Sequence, residues 1–368
     1  MILLNSEVGN YVISNGKKYS YFAGNNYLGL AGNADIKAAV IRAVEKYGVN
    51  FSASRHTTGT ADIHLELESS LASFKGKEDA VVFASGYQGN SILLEILKGS
   101  YSTIFIDQSA HASIVAAIPA DVVKVMYYDH CDAEHLDYLL DYNRGSNPLI
   151  VTDGIFPLTG EIAPIDIIYQ VVKKHNGLLV VDDAHSTGVL GATGKGTLEH
   201  FGLPADDKVF QTETMSKALG GYGGFISGNK NLTETIRERS ATYQASTALP
   251  PPIAAAGIAS LAILKANPGL RTELLDKAWR LREEIIALGF RTTHHRTPII
   301  PVILDDRYKA MGLCTFLEEN GVIAPFMNYP VRKEMHQIRI AVSVIHTDDQ
   351  TGHLLELLKK WKEKNESN

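Results

Sequence analysis

Seven short apolar runs, most of them separated by helical stretches, constrain the fold of this chain more than any other feature. They lie at Asp79 (DAVVF), Thr103 (TIFID), Val122 to Met126, Leu149 to Thr152, Leu178 to Val181, Lys208 to Gln211 and Gly224 to Ser227. Near-continuous apolar runs of this length read as strands buried on both faces, and strands alternating with helices imply a mainly parallel sheet with right-handed crossovers. The last run follows its predecessor closely and is expected to lie antiparallel. The fold class expected is α/β, and ligands in an open α/β sheet sit beyond the carboxyl ends of its strands.

Two of those ends carry candidate chemistry. TETMSKALGGYGG, Thr212 to Gly224, sets Lys217 between hydroxyl residues and four closely spaced glycines. A lysine amine attacks a carbonyl only when neutral, and a tight, partly desolvated pocket favours that state, as in enzymes that use pyridoxal phosphate (PLP). An ordinary surface turn is an equally good reading of this stretch alone. Upstream, LLVVDDAHSTG ends a buried strand in Asp182. A pyridoxal ring works as an electron sink only while its ring nitrogen stays protonated, which requires a fixed carboxylate beside it. Asp182 is placed to supply one, and His185 to brace the ring oxygen or the carboxylate. A helix cap for Asp182 and Asp183, or an interior histidine at 185, is the plainer alternative. In DAVVFASGYQGN, a strand, a glycine turn and a helix aim backbone N–H groups at an anion, so Gly86 and Tyr87 are assigned to a cofactor phosphate.

VDDAH followed by TMSKALGG, with NNYLGL at Asn25, SRHTTGT at Ser54, HAS at His111 and QIRIAVS at Gln337, resembles the α-oxoamine synthase family of fold-type I PLP enzymes, closest to its 8-amino-7-oxononanoate synthase branch. The likeness runs over nearly the whole chain. It implies a seven-stranded, mainly parallel sheet with a smaller α+β C-terminal domain, and a homodimer. It implies catalytic or cofactor-binding roles for Lys217, Asp182, His185 and Thr214, His111 stacked on the ring, and Ser246 and Thr247 reaching the partner's phosphate. Asn25 and Arg339 would hold the substrate carboxylate. The implied reaction joins an amino acid, L-alanine in that branch, to a pimeloyl-type acyl-CoA with decarboxylation, as in biotin synthesis. An aminotransferase or a glycine C-acyltransferase would use the same pocket. Two departures stand out: Asp153 and Pro157 replace a usual glutamate and serine. Proline cannot donate to the cofactor's phenolic oxygen, and His185 is the expected substitute.

The 368 residues suggest two domains, read as an arm over 1–24, a PLP-binding domain over 25–250, closed by Pro250–Pro252, and a small domain over 251–368. A net charge of −6 with scattered Lys and Arg argues against nucleic acid and anionic membrane. Cys131 and Cys314, distant in sequence, make neither a disulfide framework nor a zinc site, and His294-His295 lacks a third ligand at metal spacing, so no metal is expected. MILLNSEVGN lacks a basic export segment, and no run reaches the roughly 18 apolar residues of a membrane span. A soluble cytoplasmic protein is expected. A dinucleotide oxidoreductase is rejected because no G-x-G-x-x-G follows the first strand.

Overall fold

The computed structural model describes residues 2–121, 124–327 and 336–366. It divides into a larger unit, Ala34–Phe156 with Ala163–Ala266, and a smaller one, Met1–Asn33 with Pro157–Ile162 and Asn267–Asn368.

The larger unit is built on a seven-stranded sheet. Its order across the sheet is Asp79–Phe83, Gly224–Gly228, Val209–Thr214, Leu178–Asp182, Pro148–Asp153, Thr103–Asp107 and Val125–Tyr128. Gly224–Gly228 runs antiparallel to both neighbours and the remaining pairs are parallel. The strand expected over Val122 to Met126 is observed from Val125, and residues 122 and 123 lie outside the described residues. Strand side chains alternate between the two faces. Ile104, Ile106, Leu149, Val151 and Val180 therefore enter one core, and Phe105, Ile150, Leu179 and Val181 the other. In-register pairing of Asp153 with Asp182, and of Asp182 with Thr212, brings these polar residues together at the strands' carboxyl ends.

Helical spacing around Ile36 and Ala43 gives a helix over Ala34–Tyr47, in which those two residues are buried. Val44 and Ile41 on the same helix are exposed. The next helix, Asp62–Lys75, buries Ile63, Leu67 and Leu71. His64 is structural: its Nδ1 accepts the Ala61 N–H at 3.1 Å, and Nε2 bonds Leu249 O at 2.6 Å. Prolines 251 and 252 open a helix, Pro251–Ala266, where a missing N–H costs nothing. That helix stays in the larger unit because it packs on the two preceding helices, so the unit closes at Ala266 rather than at 250.

In the smaller unit, Tyr11–Ser14 and Lys17–Tyr21 form a hairpin. Its turn residues Asn15 and Gly16 have φ of 49° and 75°, as a type I′ turn requires. Lys17–Tyr21 also pairs with Val322–Ile323, which makes the segment expected as an arm part of a three-stranded sheet. A second sheet joins Ile299–Leu304, His336–Ala341 and Phe326–Met327. Helices Gly269–Ala287, Arg307–Glu319 and Asp348–Glu366 complete the unit.

His346 ties the hairpin down. Its Nδ1 accepts the Ser343 N–H at 3.0 Å, its Nε2 donates to Tyr21 O at 2.9 Å, and its ring stacks on Phe22 at 4.1 Å. Both nitrogens are committed to the neutral form, and burial pulls the pKa from 6.5 to about 4. Above pH 6.5 neither the folded nor the unfolded imidazole is charged, and its full contribution to stability is present. As pH falls toward 4, only the unfolded chain takes up the proton, and roughly 3 kcal/mol is lost. Urea unfolding at pH 7 and pH 5 should show part of this loss, and His346→Gln should be less stable at pH 7 yet lose less on acidification. Equal pH slopes would refute it.

Candidate active site

Lys217 stands in the turn between Val209–Thr214 and Gly224–Gly228. Hydrogen bonds close the turn from Met215 N to Gly223 O, Gly221 N to Met215 O and Gly220 N to Lys217 O, each 2.9 Å. Thr214 Oγ1 donates to Gly223 O at 2.9 Å, and the Ser216 hydroxyl lies 2.8 Å from it. Gly223 has φ 93°, and a methyl group there would lie 2.7 Å from Leu249 Cδ1 and 3.0 Å from Phe83 O. The glycines thus satisfy a tight, closely approached turn rather than a mobile loop. Lys217 is half-buried in it.

Around Asp182 the geometry is fully bonded. Its Oδ1 accepts the Ala184 N–H at 3.1 Å, and its Oδ2 accepts from Asn90 Nδ2 at 2.7 Å. Asn90, fully buried in the helix Tyr87–Ile96, also donates to Ser113 Oγ at 3.1 Å and accepts from Thr212 Oγ1 at 3.2 Å. Asn90 lies inside a quoted motif yet carried no assignment. Its signal was an amide at the start of the apolar stretch SILLEIL, on a helix that follows a buried strand. Asp183, expected only as a possible cap, is fully buried and accepts from Thr197 N at 2.9 Å and Gln211 Nε2 at 2.5 Å.

His111 is the N-cap of the short helix Ala112–Ala116. Its own N–H donates to Asp153 Oδ2 at 2.8 Å, while ring Nδ1 meets Ser113 Oγ at 2.7 Å and Ser113 N at 3.2 Å. Burial lowers its pKa, the Asp182 charge raises it and the Lys217 charge lowers it, so the ring is neutral at physiological pH and senses both residues. Asp153 is pushed well above the usual carboxylate range by burial and then by Asp182, with the His111 N–H and Lys217 pulling the other way.

Gly86 caps the Tyr87–Ile96 helix, and a methyl there would lie 2.8 Å from Thr214 Cβ and Oγ1, which brings this N-terminus against the strand end. Tyr87 is half-exposed. Ser246 Oγ accepts from Gln88 Nε2 at 3.3 Å, and exposed Thr247 bridges to Ser54. His185 and Ser186 are buried. Two further clusters, Asp107–His130–Cys131 and Asp137–Asp141–His175, are held by their own hydrogen bonds and carry no assignment.

In the smaller unit, Arg339 is buried in His336–Ala341 and bonded to neutral acceptors: Pro157 O from Nε at 2.6 Å, Gly24 O from Nη1 at 3.3 Å, and Asn25 Oδ1 at 2.8 Å and Tyr27 Oη at 3.2 Å from Nη2. Among the described residues it makes no ion pair. Tyr27 Oη donates to Asn25 Oδ1 at 3.1 Å, and burial, partly offset by Arg339, raises its pKa to about 12. Tyr27 and the Pro157 carbonyl were not read as partners of Arg339. Asp153 and Pro157 fall in different units, and in the smaller one Thr293, Thr297 and Gln337 bond the carbonyls of Thr159, Gly160 and Leu158.

The larger unit fits pyridoxal phosphate by the chemistry of its donors: a doubly held carboxylate, a neutral histidine, a lysine whose charge reaches both sides, and a helix N-terminus too tight for a side chain at its cap. Comparisons agree. Residues 18–358 match the family model described as aminotransferase class I and II. An 8-amino-7-oxononanoate synthase of Alkaliphilus metalliredigens is 38% identical over 352 residues, 95% of this chain and 89% of that protein. One of Symbiobacterium thermophilum is 38% identical over 355 residues, 95% of this chain and 89% of that protein. Among solved structures, Sphingomonas wittichii serine palmitoyltransferase gives a TM-score of 0.93 at 29% identity, covering 99% of this chain and 92% of its own. The Francisella tularensis 8-amino-7-oxononanoate synthase gives 0.81 at 27%, covering 95% and 98%. The chain belongs to the class I and II aminotransferase family and, within it, is a PLP-dependent acyltransferase of the α-oxoamine synthase type.

Proposed function

We propose that this enzyme condenses L-alanine with a pimeloyl-type acyl-CoA, losing carbon dioxide, to give 8-amino-7-oxononanoate, and that it works as a cytoplasmic homodimer. The observation that carries the amino-acid half is Arg339, a buried guanidinium without a carboxylate partner among the described residues and with a fork suited to one. The names of the curated relatives support the acyl half.

When bound, PLP supplies an electron sink for negative charge developing at the substrate Cα. Asp182, fixed by Asn90 and the Ala184 N–H, would hold the ring nitrogen and keep it protonated. Lys217 Nζ, in its unprotonated form, would take the Cα proton. Arg339 and Asn25 hold the carboxylate, which orients the Cα–H bond. His111 would cover one ring face, and Gly86, Tyr87 and Thr214 would hold the phosphate. Ser246 and Thr247 would reach a partner subunit's phosphate, and His185 would bond the phenolic oxygen in place of a serine. A carbon–carbon bond forms from Cα to the thioester carbonyl carbon, the CoA thiolate departs and takes a proton from solvent, the carboxylate leaves as carbon dioxide, and Cα takes back the proton held on Lys217.

Serine palmitoyltransferases overlay well enough to make serine with a long-chain thioester the second reading. Alanine, serine and glycine should therefore be paired with pimeloyl and palmitoyl thioesters while free CoA is followed. Alanine with pimeloyl-CoA is expected to lead by at least about tenfold in kcat/KM, a difference of ~1.4 kcal/mol. Preference for serine and palmitoyl-CoA would move the assignment to that branch, and pyruvate formation without CoA release would make it an aminotransferase. Sedimentation at micromolar concentration should give a dimer, and a fully active monomer would defeat the composite site.

A further inference from the structure

We propose that Asn90 is a positioning residue for both groups assigned to the cofactor ring, holding Asp182 directly and, through Ser113, keeping His111 as the tautomer with its proton on Nε2.

Every hydrogen bond in this cluster has a forced direction. The Ser113 N–H can only donate, and it points at His111 Nδ1 at 3.2 Å, so that nitrogen carries no proton. Ser113 Oγ, 2.7 Å from the same nitrogen, must then donate to it as well. The hydroxyl's own acceptor capacity is met by Asn90 Nδ2 at 3.1 Å. The second Nδ2 proton goes to Asp182 Oδ2 at 2.7 Å, and Asn90 Oδ1 accepts from Thr212 Oγ1 at 3.2 Å. A flipped amide would set Oδ1 against the Asp182 carboxylate and Nδ2 against the threonine hydroxyl, so the orientation is determined by its partners. Asn90, Ser113 and Thr212 are all buried, and no water is required to complete the set.

Two consequences follow for chemistry. Nε2–H is the only polar hydrogen His111 can offer outward, so the ring serves as a neutral donor rather than a base. Asp182 is kept from rotating, because one oxygen is tied to Asn90 and the other to the Ala184 N–H. The charged groups acting on His111 are Asp182 and Lys217, and Asp153, whose pKa burial and Asp182 push up, accepts its backbone N–H. Losing the Ser113 hydroxyl bond would leave Nδ1 only the longer amide contact, and the competing tautomer and the protonated ring would both become accessible.

The inference rests on Asp182 and His111 meeting the ring, so the test reads the relay without the cofactor first. Full-length protein labelled with ¹⁵N-histidine is compared before and after removal of PLP, with His111 identified by the signal lost in His111→Gln. Wild type should show a single tautomer with a protonated Nε2. Ser113→Ala and Asn90→Ala should give mixed tautomers and a His111 titration raised by about one unit, tenfold in proton affinity. In the PLP-loaded protein, Asn90→Ala should move the pH midpoint of the cofactor's absorbance by a similar amount, and Thr212→Val, which touches only the amide oxygen, should move it less. Wild-type tautomer and titration in both Ser113→Ala and Asn90→Ala would overturn the relay. If Asn90→Ala fails to fold, Ser113→Ala, which removes one oxygen, decides alone. Altered tautomers with unchanged cofactor absorbance would instead overturn the placement of these groups at the ring.

Discussion

Lys217→Ala is expected to lower kcat by roughly ten-thousand-fold, the upper end of what a positioned proton-transfer group contributes. Borohydride treatment of the PLP-loaded wild type should fix the cofactor to the peptide containing Lys217, and mass spectrometry of the variant should find none there. The substitution also tests the electrostatics, because the Lys217 charge lowers the pKa of both His111 and Asp153. Removing it should raise the His111 titration, with Asp182 left as the dominant charge nearby. Lys217→Arg keeps the charge without a usable amine, so it should leave His111 near its wild-type titration while losing turnover as completely as alanine. Cofactor fixed to another lysine, or turnover within tenfold of wild type in Lys217→Ala, would refute the assignment.

The sheet was legible because its strands are buried on both faces, and runs such as LLVV and TIFID have few other uses in a chain with this many intervening helices. Candidate residues at strand ends were legible for the same reason: Asp182 and Lys217 immediately follow or adjoin such runs. What escaped was information carried by partners distant in sequence. Asn90 looks like a helix residue until Asp182, 92 positions away, occupies its amide. Tyr27 lies 312 positions from the arginine that it contacts. The division into units was misread at the prolines, which read as a stop but occupy the first turn of a helix. Near the N-terminus, a hairpin whose apolar pattern is weak gains its place from pairing with Val322–Ile323, a two-residue strand with no sequence signature of its own. Pro157 shows the limit of reading a substitution by the group it removes. It cannot donate, but its carbonyl accepts from Arg339 at 2.6 Å, a contact available to any residue at that position.

Arg339→Leu is expected to cut kcat/KM for the amino acid by roughly 100- to 1,000-fold, the range for removing one partner of a buried, hydrogen-bonded charge pair. Arg339→Lys should fall between, since an ammonium retains the charge but cannot present two parallel N–H groups. Part of any loss in the leucine variant would be structural, because Pro157 O, Gly24 O, Asn25 Oδ1 and Tyr27 Oη all lose a donor, and each unsatisfied buried acceptor costs about 1–3 kcal/mol. A carboxylate-specific readout separates the two effects. Wild type should discriminate strongly between L-alanine and L-alaninamide, which lacks the charge that Arg339 would hold. The leucine variant should lose most of that discrimination and the lysine variant only part of it, while the KM for the acyl thioester and the affinity for PLP change little. Tyr27, its pKa raised to about 12, stays a neutral phenol across the working range and adds no alkaline limb of its own. Tyr27→Phe should therefore weaken amino-acid binding modestly without reshaping the pH profile. If Arg339→Leu still preferred alanine over its amide by the wild-type ratio, the guanidinium would be a structural clamp on Pro157, Gly24 and Asn25, and the substrate carboxylate would have to be held elsewhere.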